Sequence, residues 1–223
     1  MAVIEWPCGL IRPVDTSFFI KWETRSAGRS LAGDEQFIAA GVGVWQVSIT
    51  IAPERDPMRA RRFEAVASQM RGRLNSALLC ICDPFRYGER VSPRQIPHSG
   101  GEWHSSGVGF AASGVQPIEV TGAGAAGGTG FFVGLTEPTR PRLRVGDLFT
   151  FDGWLHRVVE SNNDGWVVVE PPFRRDLRVG TVLETDPPKF RCRFADDREG
   201  ERSRERLRRG AGITLTFVED FDR

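Results

Sequence analysis

Short segments in which apolar and polar residues alternate recur along the chain, and this pattern restricts the fold more than any other feature of the sequence. Strict alternation predicts a half-buried strand, because successive side chains point to opposite faces of a sheet. In residues 44–51 the apolar face consists of Trp45, Val47, Ile49 and Ile51. Further strand-like segments occupy residues 17–23, 77–82, 129–135, 145–160, 166–170, 180–196 and 211–223. The sequence therefore predicts a mainly β protein.

One segment has the periodicity of an amphipathic helix instead. Asp56 is a good N-cap, Pro57 suits the first helical position, and Gly72 suits the end, so we expect a helix over residues 57–71. Its apolar stripe consists of Phe63, Val66, Ala67 and Met70. The arginines lie mostly off this stripe, which leaves two interpretations: a solvated face, or a contact with another subunit.

The order of these segments indicates two β domains. Residues 1–90, completed by 211–223, are expected to form an N-terminal β-sandwich-like domain that carries the helix. Residues 130–210 are expected to form a small β-barrel or sandwich, with a charged loop at 196–209. Residues 24–43 look like a loop or a loose arm. Residues 91–129 form a glycine-rich extended connecting segment, which has too many apolar residues for a disordered linker.

Charge and hydropathy narrow the function classes. The net charge is +1, so no bulk field draws the chain to nucleic acid or to a membrane surface. No apolar run approaches the roughly 20 residues of a membrane span, and the N-terminus lacks the pattern of a signal peptide. We therefore expect a protein that is made in a cytosol and does not bind a membrane.

The cysteines do not predict a metal centre. They are Cys8, Cys80, Cys82 and Cys192, and their spacing does not match the usual ligand motifs of zinc or iron–sulfur sites. We expect small buried hydrophobic side chains in a reducing cytosol. Convergence of the four sulfurs on a metal in space is left open, and no metal or cofactor is predicted.

No catalytic constellation is apparent. The histidines are His98, His104 and His156, and none forms a helical metal-binding pair. The stretch "GAGAAGGTG" lacks the Lys-Ser/Thr of a phosphate loop, and no nucleophile-elbow motif occurs. The carboxylates Glu160, Glu170 and Glu184 could meet across strands, as in any β protein. We predict no catalytic residue, and a wall hydrolase remains only as a rival hypothesis.

Several longer segments follow one another in a recognisable order. An opening strand precedes "SAGRSLAGDEQ", then "GVWQVSITIAP", the helix "RRFEAVASQMRGRLN" and a short strand ending in Asp-Pro. Further on come "RLRVGDLFTFDGWLHRVVE", "WVVVEPPFRRDLRVGTVLETDPPKFRCRFAD" and a final "ITLTFVEDF". This order resembles the minor tail proteins of long-tailed bacteriophages and related gene transfer agents. It is similar in particular to the distal-tail or baseplate proteins that cap the tail tube.

The resemblance implies a structural virion protein that is not an enzyme. Its N-terminal domain would form a ring, commonly a homohexamer, at the distal end of the tail tube. The partners would be other copies of the chain, the tail tube protein, and hub, tip or fibre proteins. DNA would pass through the lumen without specific binding. The location would be the tail tip or baseplate of the virion, after synthesis in the cytoplasm of the host bacterium.

Two sets of residues are candidates for binding. The subunit-interface candidates are Arg59, Arg62, Arg71, Arg204 and Arg208. The tryptophans that could stack on a sugar, although core packing is the simpler interpretation of each, are Trp103, Trp154 and Trp166. Two alternative functions stay open: a head–tail connector or tail-terminator ring in the same particle, and a baseplate carbohydrate-binding module.

Overall fold

The structure is a computed structural model that describes residues 2–29, 31–39, 41–81, 94–96, 110–112, 118–137, 140–141, 143–185, 187–201 and 212–221. Within these ranges its elements in chain order are β1 (Val3–Glu5), β2 (Pro13–Lys21), β3 (Thr24–Arg29), β4 (Glu35–Ala39), β5 (Val44–Ile51), α1 (Pro57–Met70), β6 (Ser76–Cys80), β7 (Arg94–Ile96), β8 (Phe110–Ala112), β9 (Ile118–Gly122), β10 (Gly130–Val133), β11 (Leu135–Glu137), β12 (Arg140–Pro141), β13 (Leu148–Phe151), β14 (Trp154–Ser161), β15 (Trp166–Glu170), β16 (Val182–Leu183), β17 (Lys189–Phe194) and β18 (Ile213–Glu219). The prediction of a mainly β fold is confirmed.

The first sheet has six strands in the order β1-β6-β17-β18-β5-β2. The β1–β6 pair is parallel and the other pairs are antiparallel. The C-terminal strand lies in this sheet, where β18 pairs along β5 from Ile213–Ile51 to Val218–Gln46. The alternating residues of β5 are buried on one face, as their spacing indicates.

The helix covers the core of the first sheet. Asp56 is its N-cap and accepts a hydrogen bond from the backbone N–H of Met58, while Pro57 occupies the first turn. The helix ends at Arg71, whose φ of 51° is left-handed. Phe63 and Met70 are buried, and the Phe63 ring lies 6.1 Å from that of Trp6. The predicted amphipathic helix is thus confirmed, with its last helical residue at Met70.

The second sheet also has six strands, in the order β13-β14-β15-β10-β9-β16. Its two edges meet, because Thr150 of β13 and Glu184 after β16 exchange two backbone hydrogen bonds of 2.8 and 3.0 Å. The sheet therefore closes into a small barrel, one of the two forms that we predicted. Asp152 and Gly153 form the two-residue turn between β13 and β14, with φ of 50° and 82°.

The barrel and the first sheet share one interface. Leu148 and Leu155 of the barrel belong to the hydrophobic cluster of the first sheet. The indole Nε1–H of Trp45 donates to the carbonyl of Leu155 at 2.7 Å, and the guanidinium of Arg157 lies 5.0 Å from the Trp45 ring centre. These contacts hold the barrel against the sheet.

The strand pairing differs from the expected grouping in two places. β17, which the sequence analysis assigned to residues 130–210, lies inside the first sheet between β6 and β18. β9, which falls in the expected connecting segment 91–129, is a strand of the barrel. Each strand has one partner that is distant in sequence, β6 for β17 and β16 for β9, and local patterns carry no information about such partners. The division into domains itself stays a prediction.

Residues 24–43, expected as a loop or loose arm, contain an antiparallel two-stranded ribbon. β3 and β4 pair from Thr24–Ala39 to Arg29–Glu35 and form a sheet of their own. We call residues 24–39 the arm. The arm extends the hairpin formed by β2 and β5, since β3 follows β2 and β4 precedes β5 in the chain. Strand alternation is hidden here because the arm has no buried face.

Candidate interaction surfaces

The helix presents a basic surface to solvent. Residues 54–73 contain six arginines and three acidic residues. Arg62 is exposed, whereas Arg59 is partly covered and lies 3.8 Å from the carboxylate of Glu54. Arg71 is exposed at the C-terminal end of the helix. The candidates Arg59, Arg62 and Arg71 therefore belong to one element, and Arg62 and Arg71 are exposed.

The start of the charged loop lies against the end of this helix. The carboxylate of Asp197 accepts a hydrogen bond from the backbone N–H of Arg73 at 3.0 Å. Gly200 packs against Ala67, where an added Cβ would lie 3.2 Å from the alanine methyl. The structure thus joins two segments that the sequence analysis proposed separately as contact surfaces. The other two arginine candidates, Arg204 and Arg208, lie outside the described residues.

The three tryptophan candidates have different positions. Trp103 lies outside the described residues. Trp154 is only 6% exposed and packs 5.8 Å from the ring of Phe221, so its indole is not available to a ligand. This corrects the suggestion that Trp154 could stack on a sugar: its side chain fills the space between the barrel and the C-terminal segment.

Trp166 remains exposed beside Phe132. The two rings are 36% and 41% exposed, with centroids 4.8 Å apart and an interplanar angle of 63°. Gly130 and Gly122 lie beneath these rings, and neither position has room for a Cβ. The glycines therefore let both rings approach the barrel backbone closely. The result is a small aromatic surface on the outside of the barrel.

A buried ion pair joins the barrel to the first sheet. The Nη2 of Arg174 lies 3.3 Å from Oε2 of Glu219 and also donates to the carbonyl of Gly43. The backbone N–H of Trp45 donates to the same Glu219 oxygen at 2.9 Å. Burial raises the pKa of Glu219, and the charge of Arg174 opposes that rise. Arg174 thus compensates a carboxylate that is almost fully removed from water.

The residue after Glu219, Asp220, also has a buried carboxylate. Asp220 is 2% exposed and forms ion pairs with Arg191 and Arg193 of β17. The hydroxyl of Ser76, at the start of β6, donates to the same carboxylate. Asp220 therefore connects three segments of the first sheet. Glu219 and Asp220 are both paired with arginines inside the protein, so their role is structural.

His156 is buried inside the barrel between aromatic rings. Its ring lies 5.5 Å from that of Phe149 and 5.0 Å from that of Phe173. Nδ1 lies 2.9 Å from the carbonyl of Pro171, so Nδ1 carries the proton and donates to that carbonyl. Burial lowers the pKa of His156 from 6.5 to about 4. His156 is thus a neutral packed residue near neutral pH.

The expectation of reduced cysteines is wrong for one pair. Cys8 and Cys80 form a disulfide, with their Cα atoms 5.5 Å apart. The parallel pairing of β1 with β6 brings the turn after β1 next to the end of β6, which places the two residues together. Cys192 is a free, buried thiol, as expected. Cys82 lies outside the described residues.

No metal site is evident in the described ranges. No group of three or more His, Cys, Asp or Glu side chains there could hold a metal ion. An open depression of about 650 Å³ on the barrel is lined by Asp152, Arg175, Arg178 and Glu184, among others. Arg175 and Asp152 pair with each other at 2.9 Å across it. Among all the described residues, α1 is the only helix, and it is too short and too polar to cross a membrane.

Within the described residues, the arm carries a group of exposed apolar side chains. Phe37 and Ile38 are each 65% exposed, and Leu31 is fully exposed at the tip. Trp22 and Val42 add exposed apolar surface at the base of the arm. These residues are not among the candidates from sequence, although the adjacent pair Phe37-Ile38 in a stretch rich in Gly, Ala and Ser is a usable signal. Exposed apolar side chains grouped in this way mark an interaction surface.

No protein-family model matches the chain, and no curated protein sequence matches it significantly.

Proposed function

We propose that this chain is a structural component of a bacteriophage or gene-transfer-agent tail. In this proposal it forms a ring, commonly a hexamer, at the distal end of the tail tube. The ring joins the tube to hub, tip or fibre proteins and leaves a channel for DNA. The proposal begins from the resemblance in segment order. Three features of the structure support it: the arm, the basic surface of the helix, and the junction between the barrel and the first sheet.

The observation that carries the proposal is the arm. Its exposed apolar residues, Leu31, Phe37 and Ile38, extend from a sheet whose own core is already closed by the helix. Such side chains are costly to leave in water, and a neighbouring subunit would cover them. The helix adds a second surface, since arginines are well suited to pairing across interfaces. A ring subunit needs contact surfaces on two flanks, and this chain offers the arm and the helix.

The junction between the barrel and the first sheet supports the same role. A protein that joins a tube to a tip must hold its second part at a fixed position. The Trp45–Leu155 hydrogen bond and the Arg174–Glu219 ion pair fix the barrel on the sheet through buried contacts. The net charge of +1 suits a channel that DNA crosses, because a strongly basic ring would bind phosphates.

Negative-stain electron microscopy tests the ring. We expect closed rings with a central opening for the natural sequence, and loss of the rings for Arg62→Glu, which reverses charge on the exposed helix surface. Arg178→Glu is the matched control, because Arg178 is an exposed arginine on the barrel. If only compact single particles form, or if both variants behave alike, the proposed ring contact at the helix is contradicted.

A carbohydrate-binding role is the second candidate, and the Trp166–Phe132 surface favours it. Exposed aromatic rings offer apolar contact to the ring of a sugar. If the role is correct, bacterial wall or capsular polysaccharide should bind the chain, and Trp166→Ala should weaken binding at least about tenfold, or about 1.4 kcal/mol. Trp22→Ala is the control, since Trp22 is an equally exposed indole at the base of the arm. Calorimetry that detects no polysaccharide binding would remove this candidate.

A further inference from the structure

The first sheet has a long open edge. β2 is its last strand and, within the described ranges, pairs with β5 alone. Every second backbone N–H and C=O of β2 therefore points away from the sheet. Val14 and Phe19 beside this edge are exposed apolar residues. Among the described residues no strand covers this nine-residue edge, and such an edge is a template for pairing with another strand.

The arm lacks a third strand to pair with its outer edges in the described structure. β3 and β4 pair only with each other in the described structure, and every described arm residue of known exposure is exposed. Phe37 and Ile38 are consecutive in β4, so they point to opposite faces of the ribbon. A two-stranded hairpin alone in water is marginally stable at best. A third strand beside β4 would satisfy its backbone groups and give both side chains neighbours to pack against.

Chain order determines which edges can join copies into a ring. β3 continues the side of the hairpin that contains β2, and β4 continues the side that contains β5. If the β2–β3 edge of one copy paired with the same β2–β3 edge of a second copy, the two copies would form a two-fold dimer. The outer edge of β4 against β2 of another copy is instead a head-to-tail contact, and such contacts close into a ring when the rotation between copies divides a full circle.

We propose that β4 of one copy pairs with the open edge of β2 in the next copy, so that the partner of the arm is a second copy of this chain. Main-chain hydrogen bonds between the two strands supply affinity, and exposed apolar side chains of β4 pack beside exposed apolar side chains of the neighbour's β2. Every copy of the chain carries both β4 and β2, so a second copy can supply the strand that the arm lacks. The head-to-tail choice of β4 over β3 rests on the proposed ring function.

Site-specific photo-cross-linking tests the pairing. p-Benzoylphenylalanine replaces Phe37, an exposed aromatic position, and the protein is mixed in equal amounts with an isotopically labelled preparation of the natural sequence. Mass spectrometry then identifies the cross-linked peptides. We expect cross-links from position 37 to residues 13–21 of the other, labelled copy. The same photoreactive residue at Phe132, an exposed aromatic position on the barrel, is the control and should not reach residues 13–21.

The outcomes distinguish failure of the proposed strand pairing from failure of the proposed ring. Rings without cross-links between position 37 and residues 13–21 overturn the strand pairing and leave the ring intact. Cross-links to residues 13–21 in a particle that is a dimer or an open chain support contact between the arm and β2 and contradict the ring. Cross-links only to other segments of the second copy also overturn the pairing. A chain that stays monomeric without cross-links between copies contradicts both proposals.

Discussion

Replacing Arg174 by methionine should lower the free energy of unfolding by about 3–5 kcal/mol, because it leaves Glu219 buried without its cation. The side chains of Arg174 and Glu219 are 12% and 1% exposed, so water cannot replace the lost pairing. The substitution also removes a donor to the carbonyl of Gly43 and a guanidinium that lies 4.7 Å from the Phe221 ring centre. Urea unfolding at neutral pH measures the loss.

The pH dependence of this variant has a defined sign. The pKa of Glu219 is already raised in the folded protein by burial, and Arg174 opposes the rise. Without Arg174 the folded state should favour the protonated carboxyl even more. A raised pKa means that the folded state binds more protons than the unfolded state above pH 4.5, so stability falls as pH rises through that region. The stability that Arg174→Met loses relative to the natural protein should therefore grow as pH rises above 4.5.

Arg175 provides the matched control in the adjacent position. Its ion pair with Asp152 is short, 2.9 Å, but the two side chains are 66% and 47% exposed. Arg175→Met should cost less than about 1 kcal/mol. The double variant Arg174→Met/Glu219→Gln should recover part of the loss, since no buried charge is left unpaired. Equal effects at positions 174 and 175 would show that the buried pair does not hold the barrel on the sheet.

Acidification should destabilise the protein through His156. Its folded pKa of about 4 lies below the ordinary 6.5, so the unfolded chain binds the extra proton first. The free energy of unfolding should fall as pH drops from about 6.5 to about 4. At roughly 1.4 kcal/mol per pH unit, this group contributes a loss of about 3 kcal/mol. The physical reason is that a charged imidazolium would lie between the rings of Phe149 and Phe173.

The variant His156→Asn isolates this contribution. The asparagine amide can still donate to the carbonyl of Pro171, but it does not titrate. The variant should be less stable than the natural protein at pH 7, because it leaves space beside the aromatic rings. Its stability should change less between pH 6.5 and 4, by about 3 kcal/mol, in urea titrations at each pH. Identical pH profiles for the two proteins would contradict the assignment to His156.

Local signals in the sequence were sufficient for much of the fold. The helix start at Asp56-Pro57 is determined by neighbours in the chain, and so is the turn at Asp152-Gly153. The alternation in residues 44–51 and 213–219 indicates both strands. These elements follow from capping, turn chemistry and the two-residue period, which act over a few residues.

Features that depend on distant partners could not be predicted in the same way. The disulfide of Cys8 and Cys80 requires the parallel pairing of β1 with β6, and no local pattern indicates that pairing. The Arg174–Glu219 pair joins residues that are 45 positions apart. The arm has no buried face, so the alternation that identifies strands is absent. Sequence also could not separate the buried Trp154 from the exposed Trp166, since both begin strands of similar composition.

Light scattering across a concentration series tests the central claim most directly, because the ring proposal requires the chain to bind copies of itself. The account predicts a discrete assembly with the mass of a hexamer, or of two stacked hexamers, that persists as the protein is diluted. Particles with the mass of a single chain at every concentration would contradict it.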